Sequence, residues 1–140
     1  MAYDQAIKKR DGIADGNIGT NLILKLGTAG RDHVVLCGAN EVPVAVSPSG
    51  IHDRDSAPYA AELDDHFEVY YGGFVKVTVG GSAVNVGDYL KSDSNGKAIP
   101  VTLTAGAGPQ NHVGIALNEG DAENKIITMQ IEIGVRSLTT

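Results

Sequence analysis

The residues with the greatest chemical potential lie in one polar stretch near the middle of the chain. Histidine and carboxylate side chains bind metals or transfer protons in many enzymes. The stretch has no His-Glu-x-x-His zinc signature and no calcium-loop pattern. We therefore expect a solvated loop here, with no metal site and no catalytic site. The polar residues concerned are His52, Asp53, Arg54, Asp55, Asp64, Asp65 and His66.

Two glycine-containing segments imitate ligand-binding loops without completing them. Asp93-Ser94-Asn95-Gly96 matches the start of a calcium loop, but Thr102 stands where the acidic ligand is required. Gly106-Ala107-Gly108 is followed by Pro109, not by the Lys and Ser/Thr of a phosphate-binding loop. Because Asn and Gly tolerate positive φ, the first segment instead predicts a tight turn. No cofactor is expected.

Cysteine and histidine chemistry is also poorly supported. Cys37 is the only cysteine, which excludes an internal disulfide. It ends the apolar run Val34-Val35-Leu36-Cys37, so we expect a small buried hydrophobic residue. His33 and His112 each precede an apolar run, where a structural histidine is more common than a ligand. These patterns predict a protein that is not an enzyme.

Composition excludes two classes of partner. The net charge is −6, and the only basic run, Lys8-Lys9-Arg10, is surrounded by Asp4, Asp11 and Asp15. Nucleic-acid phosphates require clustered Lys and Arg, so no nucleic-acid partner is expected. No apolar stretch approaches the roughly 20 residues of a membrane span, so no membrane partner is expected. Aromatic residues make up only 5%, which disfavours stacking platforms for sugars or bases.

Strand patterns begin at Leu22 and continue along the chain. Short apolar alternations are separated by turn signals about ten residues apart, which is typical of an all-β barrel or sandwich. Gly80-Gly81 predicts a two-residue hairpin turn between a strand ending at Val79 and a strand containing Val84 and Val86. The clearest strand is the last, and its alternation predicts one buried face: Ile127, Met129, Ile131, Ile133 and Val135.

The first part of the chain lacks these patterns. Residues 1–21 show neither a strand period nor a helix period, and Gly12, Gly16 and Gly19 prevent a long helix. Either an extended arm or a disordered terminus fits this composition. We interpret residues 1–21 as an extended N-terminal arm and residues 22–140 as a single β domain.

Several short motifs in the second half of the chain resemble a known family. They are Val86-Gly87-Asp88-Tyr89-Leu90-Lys91-Ser92-Asp93, Gly96-Lys97-Ala98, Val113-Gly114-Ile115-Ala116-Leu117 and the final strand from Ile127 to Ile133. Through these motifs the segment from Gly73 to Gly134 resembles the small capsid cement and head-decoration proteins of tailed phages. The resemblance covers a little under half of the chain.

The resemblance implies a small β-barrel or β-tulip-like domain that binds as a homotrimer to the major capsid protein. The protein would be made in the host cytoplasm, sit at threefold or quasi-threefold positions on the outer surface of the virion, and stabilise the head. Such proteins often contact the capsid through an N-terminal arm, which can add a strand to an exposed sheet edge. The expected capsid contacts are Tyr3, Ile7, Lys8, Lys9, Arg10, Ile13 and Ile18.

A second function remains open from the sequence. The chain could be a surface or fibre-associated binding module with a glycan or protein ligand. The low aromatic content speaks against a glycan ligand, because sugar-binding surfaces rely on aromatic rings.

Overall fold

The structure is a computed structural model that describes residues 7–50, 59–103 and 108–136. Every regular element in these ranges is a β-strand, which confirms the predicted all-β fold. Within the same ranges no helix is long and apolar enough to cross a membrane. The strands are β1 (Lys8–Ala14), β2 (Ile18–Gly19), β3 (Ile23–Leu26), β4 (His33–Leu36), β5 (Ala45–Val46), β6 (Tyr59–Ala61), β7 (His66–Gly72), β8 (Phe74–Thr78), β9 (Tyr89–Ser92), β10 (Ala98–Pro100), β11 (Gln110–Ala116) and β12 (Ile126–Arg136).

Five strands from the first half of the chain form a closed barrel in the order β1-β4-β3-β5-β7. Strand β1 closes the barrel because it pairs antiparallel with β7 on one side and parallel with β4 on the other. A closed barrel leaves no unpaired edge, which protects such short strands from pairing with other chains. The short pair β2–β6 lies beside it as a separate two-stranded sheet.

The closed barrel corrects the interpretation of residues 1–21 as an arm. Residues 8–14 are a barrel strand, and both Ala14 and Ile18 are completely buried. Strand β1 was hidden in the sequence because its first four residues are exposed and its interior-facing residues are Gly12 and Ala14. A Cβ atom at Gly12 would lie only 3.2 Å from a methyl group of Val69 on the neighbouring strand β7, so the glycine leaves room for that side chain inside the barrel.

The second half of the chain forms a five-stranded sheet in the order β10-β9-β11-β12-β8. Strand β8 follows β7 directly after Gly73, so the change from barrel to second sheet falls at this residue and not at Leu22. The turn predicted at Asp93-Ser94-Asn95-Gly96 joins β9 to β10 as a hairpin, and Gly96 has the expected positive φ of 78°. The Asp93 carboxylate accepts hydrogen bonds from the amides of Asn95 and Lys97, at 2.8 and 3.0 Å.

The predicted hairpin at Gly80-Gly81 is wrong. Strand β8 pairs with β12, and Val79, the residue that follows β8, still donates its amide to the Lys125 carbonyl at 2.8 Å, just before β12. On its other side Val79 forms a parallel bridge with Ala98, while Val84 makes only an isolated bridge with Gly120. A Gly-Gly pair permits a tight turn but does not require one, and here the segment after Gly81 does not return to pair with β8.

Two apolar clusters hold the sheets together. One fills the barrel, and the other lies between the second sheet and barrel residues such as Ile23, Cys37 and Val46. Burying a branched side chain contributes roughly 1.5–3 kcal/mol, so the second cluster makes a large contribution to the contact between the two sheets. Its members from the second sheet and its flanks are Val75, Val77, Val79, Val84, Leu90, Ala98, Val113, Ala116, Ile127 and Met129.

Strand β12 only partly confirms its predicted buried face. Ile127 and Met129 are buried, and Ile131 packs partly against the core. Ile133 and Val135, however, are 42% and 61% exposed. The reason is that β8 stops pairing with β12 at Gln130, so the rest of β12 extends beyond the core.

Candidate docking surface

One end of the barrel is open and forms an apolar cleft of about 320 Å³, here called the barrel mouth. Strands β3, β4, β5 and β7 contribute apolar side chains to its walls, and β1 contributes Arg10 and Asp11. The mouths of β-barrels are common sites for ligands, because a concave apolar surface is already formed there. The apolar lining residues are Leu26, Val34, Val44, Ala45, Val69 and Tyr71.

Two large apolar side chains in the lining are left in contact with solvent. Leu26 is 63% exposed and Tyr71 is 45% exposed, whereas Val34 and Val69 below them are buried. An apolar side chain from a partner would cover Leu26 and Tyr71 and would meet the buried valines at the base of the cleft. The cleft is therefore suited in shape and polarity to an apolar side chain.

The basic run Lys8-Lys9-Arg10 lies on the exposed part of β1, next to the barrel mouth. Lys9 pairs with Glu68 at 3.7 Å and also lies 5.9 Å from the centre of the Tyr70 ring. Arg10 pairs with Asp32 at 2.8 Å. These pairs are exposed, so each contributes little to stability and can exchange for a partner's carboxylate.

The loop between β3 and β4 forms one side of the mouth and is fixed at two points. Arg10 holds Asp32, and Asp15 hydrogen-bonds to Nδ1 of His33. The Asp15 carboxylate also accepts the amide of Ala29 at 3.3 Å. The hydrogen bond with His33, supported by the backbone amides, lowers the pKa of Asp15 below its ordinary value.

The structure places the predicted capsid contacts in different environments. Ile7, Lys8, Lys9 and Arg10 are exposed beside the barrel mouth, and Ile13 is half-buried on β1. Ile18 is fully buried in the barrel core, so it cannot be a surface contact and this assignment is wrong. Tyr3 lies outside the described residues.

The sequence analysis missed the other residues of the mouth. Leu26 and Tyr71 were assigned only to strands, and no local pattern distinguishes an apolar strand end at an open mouth from one in a core. The pairing of five strands from distant parts of the chain brings these residues together.

The polar stretch singled out first does not form a catalytic arrangement in its described part. His52, Asp53, Arg54 and Asp55 lie outside the described residues. Asp64 and Asp65 form a turn whose backbone pairs with Ala14, and the Asp65 carboxylate accepts the amide of Glu62 at 2.9 Å. Across the described ranges, no group of His, Cys, Asp and Glu side chains is arranged to hold a metal ion.

Cys37 is buried, as the sequence predicted. Its thiol lies 3.5 Å from the carbonyl oxygen of Gly38 and 3.7 Å from that of Glu41. Burial raises the pKa of the thiol, which disfavours the reactive thiolate. Nearby, Glu41 forms an ion pair with Lys25 and accepts the amide of Gly38 at 2.6 Å.

A ring cluster lies on the second sheet. His112 packs edge-on against Tyr89 with 5.0 Å between ring centres, and the Arg136 guanidinium lies 3.8 Å from the centre of the same Tyr89 ring. His112 is buried and its Nδ1 atom has no hydrogen-bond partner among the described residues. The cluster anchors the end of β12 to β9 and β11.

Comparisons with known proteins add a structural likeness. No protein-family model matches the chain, and no curated protein sequence matches it. Its fold is similar to that of the N base of head fiber gp8.5 in bacteriophage phi29, with a TM-score of 0.62 and 18% sequence identity. The similarity covers 91% of this chain and 95% of the other. At this identity, the likeness shows a shared all-β fold across nearly the whole of both chains.

Proposed function

We propose that this protein is a structural component of a phage virion, bound to the outer surface of the head. The similarity of nearly the whole fold to the base of a phage head fiber is the observation that carries the proposal. The segment that resembles head-decoration proteins, Gly73 to Gly134, supports it, because this segment coincides with the second sheet.

The resemblance to cement proteins supports a more specific position on the head. The protein would bind the major capsid protein as a homotrimer at threefold or quasi-threefold positions and would stabilise the head against internal pressure. We assign the contact to the barrel mouth and the neighbouring exposed residues of β1. The apolar cleft takes a capsid side chain, while Lys8, Lys9 and Arg10 orient the docking through charge.

The experiment mixes the purified protein with expanded heads that lack it and measures binding by co-sedimentation. Leu26→Asp places a charge in the mouth and should weaken binding by at least about tenfold, as expected for truncating a buried interface anchor. Val86→Asp is the matched control, since Val86 is 62% exposed but lies outside the mouth. Heads with bound protein should also resist heating better than bare heads.

The outcomes separate the parts of the proposal. If the unmodified protein does not bind heads, the head-associated function is wrong. If it binds and Leu26→Asp binds equally well, the function stands but the barrel mouth is not the contact. Equal weakening by Leu26→Asp and Val86→Asp would show a nonspecific charge effect.

A second function is favoured by the same structural comparison. The similar protein is the base of a head fiber, so this chain could anchor a fibre or a binding module to the head. That function needs a further partner on the side away from the capsid. Retention of a fibre protein on heads only when this chain is present would support it.

A further inference from the structure

The end of β12, residues 132–136, is an exposed strand with apolar side chains; we call it the β12 overhang. Alternate residues along β12 are apolar to the end of the strand, but the side chains of Ile133 and Val135 are exposed to solvent. Strand β11 still pairs with this part of β12, from Gln110↔Arg136 to His112↔Gly134. On the other side, pairing with β8 ends at Gln130↔Phe74. Among the described residues, the overhang therefore has one neighbouring strand, and its other edge has no strand partner.

The direction of the backbone groups on that edge follows from the last hydrogen bond. The amide of Ile131 donates to the carbonyl of Gly73 at 3.0 Å, on the β8 side. The register with β11 shifts between His112 and Gly114, but β12 keeps its own alternation, because Ile131 packs on the core and Arg136, five residues later, lies over Tyr89 on the other face. The amides and carbonyls of Ile133 and Val135 therefore point to the same side as those of Ile131. Exposed strand edges with apolar side chains pair readily with another chain.

We propose that the β12 overhang pairs antiparallel with the β12 overhang of a second copy in the free protein, around a twofold axis at Gly134. In this register Ile133 lies opposite Val135 of the other copy, and the reverse. These are the residues whose backbone groups face the open edge. The second sheets of the two copies would then form one continuous sheet across the contact.

Charge complementarity favours a second copy as the occupant. The same register brings Glu132 opposite Arg136 of the other copy, and twofold symmetry repeats this pair. Opposite charges on directly paired residues stabilise antiparallel strands, whereas like charges destabilise them. A parallel arrangement would instead place Glu132 beside Glu132 and Arg136 beside Arg136. The segment is thus complementary to itself only in the antiparallel direction.

The test is analytical ultracentrifugation of the full chain over a wide concentration range. A reversible dimer is expected. Glu132→Arg should weaken the dimer by about tenfold, because it turns both symmetric pairs into repulsive ones. The double variant Glu132→Arg/Arg136→Glu exchanges the charges and should restore the dimer. Glu119→Arg carries the same charge change on an exposed loop and should leave the dimer unchanged.

Two further measurements keep the test decisive. Tyr89→Leu removes the ring on which Arg136 stacks but keeps the Arg136 charge opposite Glu132, so it measures the loss of stacking separately. Hydrogen exchange at the amides of Ile133 and Val135 should slow as protein concentration rises. A monomer at all concentrations would overturn the inference. So would a trimer insensitive to Glu132→Arg, or a charge exchange that fails to restore the dimer.

The inference concerns the protein in solution and does not rest on the proposed function. Head binding without a solution dimer would leave the proposed function intact and refute the pairing. A solution dimer without head binding would support the pairing of the β12 overhangs and refute the proposed function.

Discussion

Cys37 connects the barrel strand β4 to the second sheet. Ser92 on β9 donates a hydrogen bond to the Cys37 carbonyl at 2.9 Å, while the thiol side chain packs into the cluster between the sheets. The residue is thus structural, and its thiol has no access to solvent.

Cys37→Ser should lower the free energy of unfolding by about 1–3 kcal/mol, because a hydroxyl group is buried with distant acceptors. Urea unfolding measures the change. Head binding should be unaffected. Rapid labelling of the native protein by a thiol reagent would contradict the buried position.

The backbone conformation at Gly96 requires a glycine. Its φ of 78° disfavours any side chain, and a Cβ atom would lie 3.1 Å from the carbonyl oxygen of Ile23. The amide of Ile23 also donates to the Gly96 carbonyl at 2.7 Å, so the turn docks on the barrel.

Gly96→Ala should therefore destabilise the protein by about 1–3 kcal/mol. Gly81→Ala is the control, because no atom lies within 4 Å of a Cβ at that position and its φ is not positive. Similar thermal midpoints for the two variants would show that the turn is not strained by a side chain.

At the scale of elements, the loop between β3 and β4 depends on the charge of Asp15. The pKa of Asp15 is lowered from its ordinary value of 3.8 in the folded protein, mainly by His33. A carboxylate with a lowered pKa stabilises the fold above its unfolded pKa, and this contribution is lost as the pH falls through the folded pKa.

The thermal midpoint should therefore begin to fall as the pH drops to about 4 and continue to fall below it. Asp15→Asn should lower the midpoint at neutral pH and flatten part of this acid dependence. Glu41, whose pKa is lowered mainly by Lys25, supplies another part. An unchanged acid profile in Asp15→Asn would exclude Asp15 as a contributor.

Strand β1 makes the barrel depend on the N-terminal part of the chain. It pairs with β7 over most of its length and with β4 at Ile13 and Ala14. Loss of β1 would open the barrel and expose the edges of two strands, while loss of Ile18 would remove a fully buried side chain.

A chain that starts at Asn21 should thus lose its cooperative unfolding transition, measured by circular dichroism during heating. The control is Lys9→Ala, which keeps the backbone of β1 and removes an exposed side chain, so it should leave the thermal midpoint nearly unchanged. If the chain starting at Asn21 keeps a sharp transition at the original midpoint, the role assigned to β1 is wrong.

At the scale of the whole molecule, each of the two sheets has an exposed apolar feature, so the protein has two candidate contact regions. The barrel mouth presents an apolar cleft beside a basic strand, and the β12 overhang presents an open strand edge at the second sheet. Separate regions would let one protein bind the head and also contact other copies.

On the head, the proposed arrangement predicts three copies at each threefold or quasi-threefold position. Electron microscopy of decorated heads measures this directly, with heads lacking the protein as the control. Density for isolated pairs of copies at twofold positions would contradict the threefold placement and leave head binding itself supported.

The all-β class could be predicted from sequence because period-two alternation and turn residues are local properties of the chain. The turn at Asp93 to Gly96, the burial of Cys37 and most strand positions follow from such local signals. Strand β1 could not be predicted from local signals. Its exposed residues are polar and its interior-facing residues are Gly12 and Ala14, which leave almost no hydrophobic period.

Only the tertiary structure decided which strands are neighbours, because pairing depends on contacts between residues far apart in the chain. It joined β1 to β7, paired β8 with β12 and not with the segment after Gly80-Gly81, and gathered Leu26 and Tyr71 at one open end. It also ended β8 before β12, which left Ile133 and Val135 exposed despite their perfect alternation. Alternation specifies the two faces of a strand, whereas burial requires another element to cover one of them.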